Sequence, residues 1–320
     1  MALYLVTGGA GFIGSHLTDA LLGAGHAVRV LDDLSTGFAS NLDARAELVI
    51  GDAADQGLVR ECAAGCAGIF HLAAVASVVR SNEDWPGTHR ANQSATVAVL
   101  DAARALGRIP VVYASSAAVY GNRGGQQGPM REDDPKVPAT AYGADKLGSE
   151  LHAAVAWGIH GVPTLGLRFQ NVYGPRQDPR SPYSGVISIF ADRIGRGLPV
   201  TVHGDGSQSR DFVFVADIVR FVLAAMESLR ERPRAAVLNA ATGRATSVLD
   251  LARAVGVAAG AEAVIEFGTS RAGDIRTAVG DPAAASADLG VVAGTALADG
   301  LARTVSAVGG RAPSQCPGHE

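Results

Sequence analysis

The chain has 320 residues, 48% of them hydrophobic and 18% charged, with a formal net charge of −4, enough for two packed units or one elaborated domain. No apolar run approaches the roughly 18–20 residues of a membrane span, and the acidic balance leaves no basic face for non-specific nucleic-acid binding, so neither membrane nor nucleic acid is an expected partner. Three cysteines, Cys62, Cys66 and Cys316, are an odd number for a disulfide framework and lack the histidines of a metal set, and the apolar start has no cationic stretch before it; the chain reads as a metal-free cytoplasmic protein.

Along the first half, short β-rich runs alternate with helical stretches. Strands are predicted over 2–7, 27–31, 47–51, 68–72, 110–114 and 164–169, with helices near 13–24, 57–63, 91–106 and 142–158. The pattern is that of an α/β fold, a doubly wound parallel sheet of the Rossmann type. Buried parallel strands read as continuous apolar runs, as Val111-Val112-Tyr113-Ala114 does. After Pro175 the segments shorten and grow rich in Gly, Pro and Ser. The expected organisation is a dinucleotide-binding domain over 1–175, with 214–243 returning to it. A smaller α/β substrate domain is expected from 176–213 and 244–308. The end, 309–320, has the turn and tail composition of a disordered segment.

The first predicted strand runs into Gly8-Gly9-Ala10-Gly11-Phe12-Ile13-Gly14 and then a helix. Gly8 allows the tight turn, Gly11 lets the backbone approach a pyrophosphate, and Gly14 lets helix and sheet pack closely. The helix start adds unpaired N–H groups and a positive dipole end, in reach of Phe12 and Ile13. Asp32 and Asp33 close the second strand, where a carboxylate bonds the ribose hydroxyls of NAD and repels the 2′-phosphate of NADP. NAD is therefore the expected cofactor. The turn continues through Ser35, Thr36 and Gly37, and Asp52-Ala53 ends the third strand, where it meets either an adenine or only its own turn.

Tyr142 and Lys146 stand four apart at a helix start, on one face. An ammonium beside a phenol stabilises the phenolate and lowers its pKa from about 10. Such a tyrosine can take a proton from a sugar hydroxyl as hydride leaves the same carbon. Ser116, just past a strand end, lies where open α/β sheets place functional groups and can relay that proton. Ser115 and Tyr120 are expected to support the turn.

These ordered motifs, together with His71-Leu72-Ala73-Ala74, Asn92 and Asn171-Val172-Tyr173-Gly174-Pro175-Arg176, resemble the extended short-chain dehydrogenase/reductases that act on nucleotide sugars. The likeness runs from about Leu3 to Gly290 and is nearest the UDP-hexose 4-epimerase branch. It implies catalysis by Tyr142 with Ser116, Lys146 on the nicotinamide ribose, and cofactor contacts from Leu72, Ala73, Ala74 and Asn92. It also implies a UDP-sugar substrate, held at its diphosphate by Asn171, Arg210 and Arg271 and at its uridine ribose by Asp274. Two guanidiniums suit a diphosphate through forked hydrogen bonds. His71 reads as structural. A homodimer through the helices near 91–106 and 142–158 is a further implication.

Ala117 and Ala118 bear on the reaction. Dehydratases of this family carry an Asp-Glu pair there and decarboxylases a Glu at the second position, to move the extra proton; alanines cannot. A 4-epimerase needs no such acid, since it oxidises C4 and returns hydride to the other face. Ala278 falls where related epimerases vary between Tyr and small residues, so room for an N-acetyl group is expected. Gln170 departs from the aromatic residue usual before Asn171, in the nicotinamide-side pocket. The competing readings are a reductase, decarboxylase or dehydratase of the same family, and a non-catalytic NAD(H) sensor, which the intact Tyr142 and Lys146 oppose.

Overall fold

In a computed structural model of the protein, residues 1–122, 128–179, 185–270 and 275–309 are described. Among them β1 (Leu3–Thr7), β2 (Ala27–Asp32), β3 (Glu47–Ile50), β4 (Ile69–His71), β5 (Val111–Ser116) and β6 (Thr164–Phe169) join a last strand, Ala235–Ala240, in one seven-stranded sheet. Every neighbouring pair is parallel, in the order Ala235–Ala240, β6, β5, β4, β1, β2, β3. This is the doubly wound Rossmann-type sheet that the alternating pattern predicts.

Side chains alternate across the sheet, so each strand feeds two cores. On one face Leu5, Leu31, Ile69, Val111 and Tyr113 meet Val59 and Ala63 of the Gln56–Ala63 helix, Val99 and Ala103 of Ala95–Ala105, and Ala153 and Ala156 of Ala141–His160. On the other, Val6, Val30, Phe70, Val112 and Leu167 pack on Leu17 and Leu21 of the Phe12–Gly23 helix and on Ile218, Val222 and Leu229 of Val215–Glu231. Cys62 and Cys66 are buried free thiols of the first layer, and burial pushes Cys66 up to about 11. A thiol held so far from its thiolate is inert.

The strand order reverses between β1 and β4, so the switch point lies outside their carboxyl ends, where ligands of this fold bind. Over that edge sits a third core of the helices Val186–Gly195, Val248–Ala259 and Leu297–Gly309. The short strand Asn171–Tyr173, following β6, pairs with Phe212–Phe214 and ties this layer to the sheet.

Two elements differ from the sequence reading. β5 runs two residues past its predicted end, because Ser115 and Ser116 pair with Arg168 and Phe169 of β6; Ser116 is thus the last strand residue rather than a loop residue. The predicted helix over 91–106 opens with a wide turn, Arg90–Ser94, before the regular Ala95–Ala105. There the Asn92 side chain accepts from the Val75 N–H at 2.8 Å and donates to the Val75 carbonyl at 3.3 Å, a pair of bonds linking the helix to the loop after β4.

Candidate active site

The glycine loop is built by close approaches. Gly8 adopts φ +70°, donates its N–H to the Leu31 carbonyl at 2.8 Å, and leaves no room for a side chain: a Cβ would stand 2.6 Å from the Ala73 nitrogen. At Gly14 a Cβ would stand 2.1 Å from the Gly8 oxygen, so only glycine lets the helix seat on the turn. The Phe12–Gly23 helix has Gly11 as its N-cap, no side-chain cap and no acidic residue in its first turn. Its leading N–H groups and positive dipole end are therefore open to an anion, with no carboxylate to repel it. A dinucleotide pyrophosphate fits this cradle.

Asp32 is buried at the end of β2. One carboxylate oxygen accepts from the Ala10 N–H and the other from the Leu34 N–H, each at 2.9 Å. Burial pushes its pKa up and these backbone bonds oppose the shift. The side chain thereby ties the loop to the strand, and its remaining lone pairs can receive a ribose hydroxyl. Asp33 accepts from the Ser35 N–H and hydroxyl in an exposed turn with Thr36, while Gly37 lies against Ala10. Asp52 accepts from the Ala54 N–H and pairs with Arg90 at 2.7 Å beside buried Ala53. His71, buried between the Thr7 and Thr96 hydroxyls, is pushed down to about 3 by burial and by Lys146, and stays neutral.

A cavity of about 410 Å³ opens at the switch point. Gly8, Gly11, Phe12, Ile13 and Gly14 line one end with Leu72 and Ala74; Ser116, Tyr142 and Lys146 line it with Asn171. Ser116 accepts from the Ala118 N–H at 3.1 Å, starting the turn Ala117–Tyr120. Thr140 accepts from the Gly143 N–H at 3.1 Å and starts the Ala141–His160 helix, which carries Tyr142 and Lys146 to the cavity one turn apart.

The electrostatics differ from expectation in one respect. Lys146 Nζ donates to the Ala114 carbonyl at 2.9 Å and lies 5.9 Å from the Tyr142 ring centre. Burial pushes the Tyr142 phenol up, and its hydrogen bond with Ser116 pulls it down by less; the expected lowering by Lys146 is absent from the chain by itself. Lys146 is itself pushed down by burial to about 8, with Asp145 opposing. Desolvation outweighs the pairing because the ammonium is held on a strand carbonyl.

Other expected residues lie outside the cavity wall. Arg210 sits on the short strand Ser209–Arg210 and donates to the Ser209 and Ile275 carbonyls at 2.9 and 2.7 Å. Ala278, on Thr277–Ala278, packs against the cluster of Val119, Tyr120 and Met130 behind Ser116. Arg271 and Asp274 lie outside the described residues, as does 310–320 of the expected tail.

Sequence reasoning missed the polar support behind the site. Ser115 donates to Glu150 at 2.5 Å, and Glu150 receives a bidentate pair from Arg168 at 2.8 and 2.7 Å. Arg168 also donates to the Tyr120 oxygen at 2.8 Å, and Tyr120 donates to Asn239 at 2.8 Å. The signal was present: Arg168 is a charge in the otherwise apolar run Leu165-Gly166-Leu167-Arg168-Phe169, and a buried arginine requires a partner.

A parallel sheet with a phosphate cradle at its switch point and a Ser, Tyr and Lys set in the adjoining cavity defines a dinucleotide-dependent α/β enzyme. The chain belongs to the NAD dependent epimerase/dehydratase family, whose profile matches residues 4–241, and its cofactor is NAD. It is 40% identical over 310 residues to a UDP-glucose 4-epimerase of Mycolicibacterium smegmatis, covering 94% of this chain and 96% of that one. Among solved structures it resembles the UDP-glucose 4-epimerase of Thermotoga maritima with UDP-glucose (TM-score 0.91, 33% identity, 95% and 98% of the two chains). It also resembles a UDP-N-acetylglucosamine 4-epimerase of Methanobrevibacter ruminantium in complex with UDP-N-acetylmuramic acid (TM-score 0.90, 30% identity, 96% and 97%).

Proposed function

We propose that the protein is a UDP-sugar 4-epimerase. The family holds both epimerases and dehydratases, and the observation that carries the choice is the pair Ala117 and Ala118, directly after Ser116 in the turn that backs the cavity. A dehydratase must take one proton from carbon and give another to a leaving hydroxyl; neither alanine has a group to do so.

Bound NAD supplies a hydride acceptor that returns what it takes. The chain's residues manage the proton. Tyr142 receives the proton of the C4 hydroxyl, directly or through Ser116, while hydride leaves the same carbon, so the C–OH becomes a carbonyl. The proton returns from Tyr142 when hydride re-enters from the other face, and atoms and charge balance over the cycle. Lys146 holds the nicotinamide ribose and supplies the positive charge that a phenolate needs. Asn171, Arg210 and Arg271 take the diphosphate and Asp274 the uridine ribose. In this reading 1–175 with 214–243 hold NAD, and 176–213 with 244–308 hold the nucleotide sugar. The helical stripe Leu151, Val155 and Ile159, exposed at 62%, 49% and 72%, supports a homodimer, since an apolar face four residues in period calls for cover.

Purified protein incubated with UDP-glucose is expected to accumulate UDP-galactose until the same ratio is reached from either side, with no added reductant and no net change in NADH absorbance. The small side chain at Ala278 supports turnover of the UDP-GlcNAc/UDP-GalNAc pair as well, with rates within about tenfold of the hexose pair, the scale of one modest contact. Loss of water from the sugar, or a steady demand for NAD(P)H, would replace the epimerase reading with a dehydratase or a reductase. Turnover of hexoses alone would remove the N-acetyl tolerance.

A further inference from the structure

Gln170 is the residue after β6, 7% exposed, and it lines the same cavity as Ser116, Tyr142 and Asn171. Both atoms of its amide, Oε1 and Nε2, are buried without a hydrogen-bond partner among the described residues. Buried polar side chains are seldom left unpaired, and an amide brings two donors and an acceptor at once. The space around it is kept by a glycine: a Cβ at Gly280 would stand 2.7 Å from Gln170 Nε2 and 2.6 Å from the Ala241 side chain. The surroundings thus hold the amide in place while supplying it with nothing to bond.

Its position selects the ligand group. Ser116 pairs with Phe169 across β5 and β6, so Gln170 begins one residue beyond the strand neighbour of Ser116. In the sheet order β6 lies on the far side of β5 from β4 and β1, away from the glycine cradle of the cofactor. The amide therefore enters the cavity on the substrate side. A ring hydroxyl both donates and accepts, as this amide does, and an amide can serve a hydroxyl from either lone pair or either N–H. That tolerance suits a sugar whose ring must present both faces in turn.

We infer that Gln170 is a sugar-recognition residue, its amide hydrogen-bonding ring hydroxyls of the hexosyl group; the inference rests on the UDP-sugar reading above. The test is calorimetric binding of UDP-glucose, UDP and NAD to the wild type and to Gln170→Leu, which keeps the bulk and removes the bonding groups. UDP-glucose affinity is expected to fall about tenfold, the scale of one lost hydrogen bond, with UDP and NAD each held within about twofold. The melting temperature should not fall, since the change removes unpaired buried groups, and Gln170→Asn should recover part of the affinity. Weaker NAD binding with UDP-glucose unaffected would assign the amide to the cofactor and overturn the inference. So would equal losses on UDP-glucose and UDP, or no loss on any ligand. A wild type that binds neither UDP nor UDP-glucose overturns the UDP-sugar reading itself, and that outcome is visible before any variant is made.

Discussion

Tyr142→Phe is expected to lower kcat by about 10²–10⁴-fold, the range of a positioned proton-transfer group, while KM for the UDP-sugar moves little. The change deletes one oxygen at the start of the Ala141–His160 helix, whose cap at Thr140 is untouched, so the fold and NAD binding should persist. A variant keeping more than about a tenth of wild-type turnover would take the proton-transfer role away from Tyr142. The pH profile separates Tyr142 from Lys146. Burial holds the Lys146 ammonium at about 8, so its charge is present below that pH and lost above it. The phenol, pushed upward by burial, gains no compensating ionisation in the same window. The profile of kcat/KM, which reports groups of the free enzyme, should therefore decline on the alkaline side with a midpoint near pH 8. A flat profile from pH 7 to about 9.5 would mean that the ammonium is not the group that sets phenolate formation.

Glu150→Leu is expected to cost about 3–5 kcal/mol of stability, because it strands the Arg168 guanidinium in the core without its bidentate partner. Glu150 and Arg168 have side chains only 7% and 3% exposed, and no solvent can replace the lost carboxylate. The melting temperature should fall by roughly 10 °C for a chain of this size. The double change Glu150→Leu with Arg168→Met should recover most of that loss, since a buried pair is worth little over well-packed apolar groups. A Glu150→Leu melting temperature within about 2 °C of wild type would show that Arg168 finds other cover. The pair matters to the site because Glu150 also receives Ser115, one residue before Ser116, and Arg168 reaches Tyr120 in the turn behind it. The orientation of Ser116 thus depends on a core of charges two strands wide.

Much of this was legible along the chain. Continuous apolar runs mark β1 and β5, because a parallel strand is buried on both faces. Gly8, Gly11 and Gly14 mark the cradle, because spacing and a following helix leave glycine few other uses. Tyr142 and Lys146 are placed together by the helical period alone. Arg168 shows where the reading stopped: the sequence tells that a buried charge needs a partner, and four candidate acids tell nothing of which one. Glu150 is chosen by β6 and the Ala141–His160 helix crossing at that point.

What the sequence determined by itself is therefore local: strand, loop and helix order, the helix start that faces a phosphate, the Tyr and Lys pair on one face, and the alanines that deny a second acid. These follow from backbone geometry and side-chain chemistry within a few residues. Only the tertiary structure decided that β5 extends through Ser116, that Asn92 anchors the loop after β4, that Lys146 is held on Ala114, and that Gln170 enters the cavity with both amide atoms unpaired. Each depends on a contact between segments far apart in the chain, set by strand register and desolvation, and neither quantity is written in any short stretch of residues.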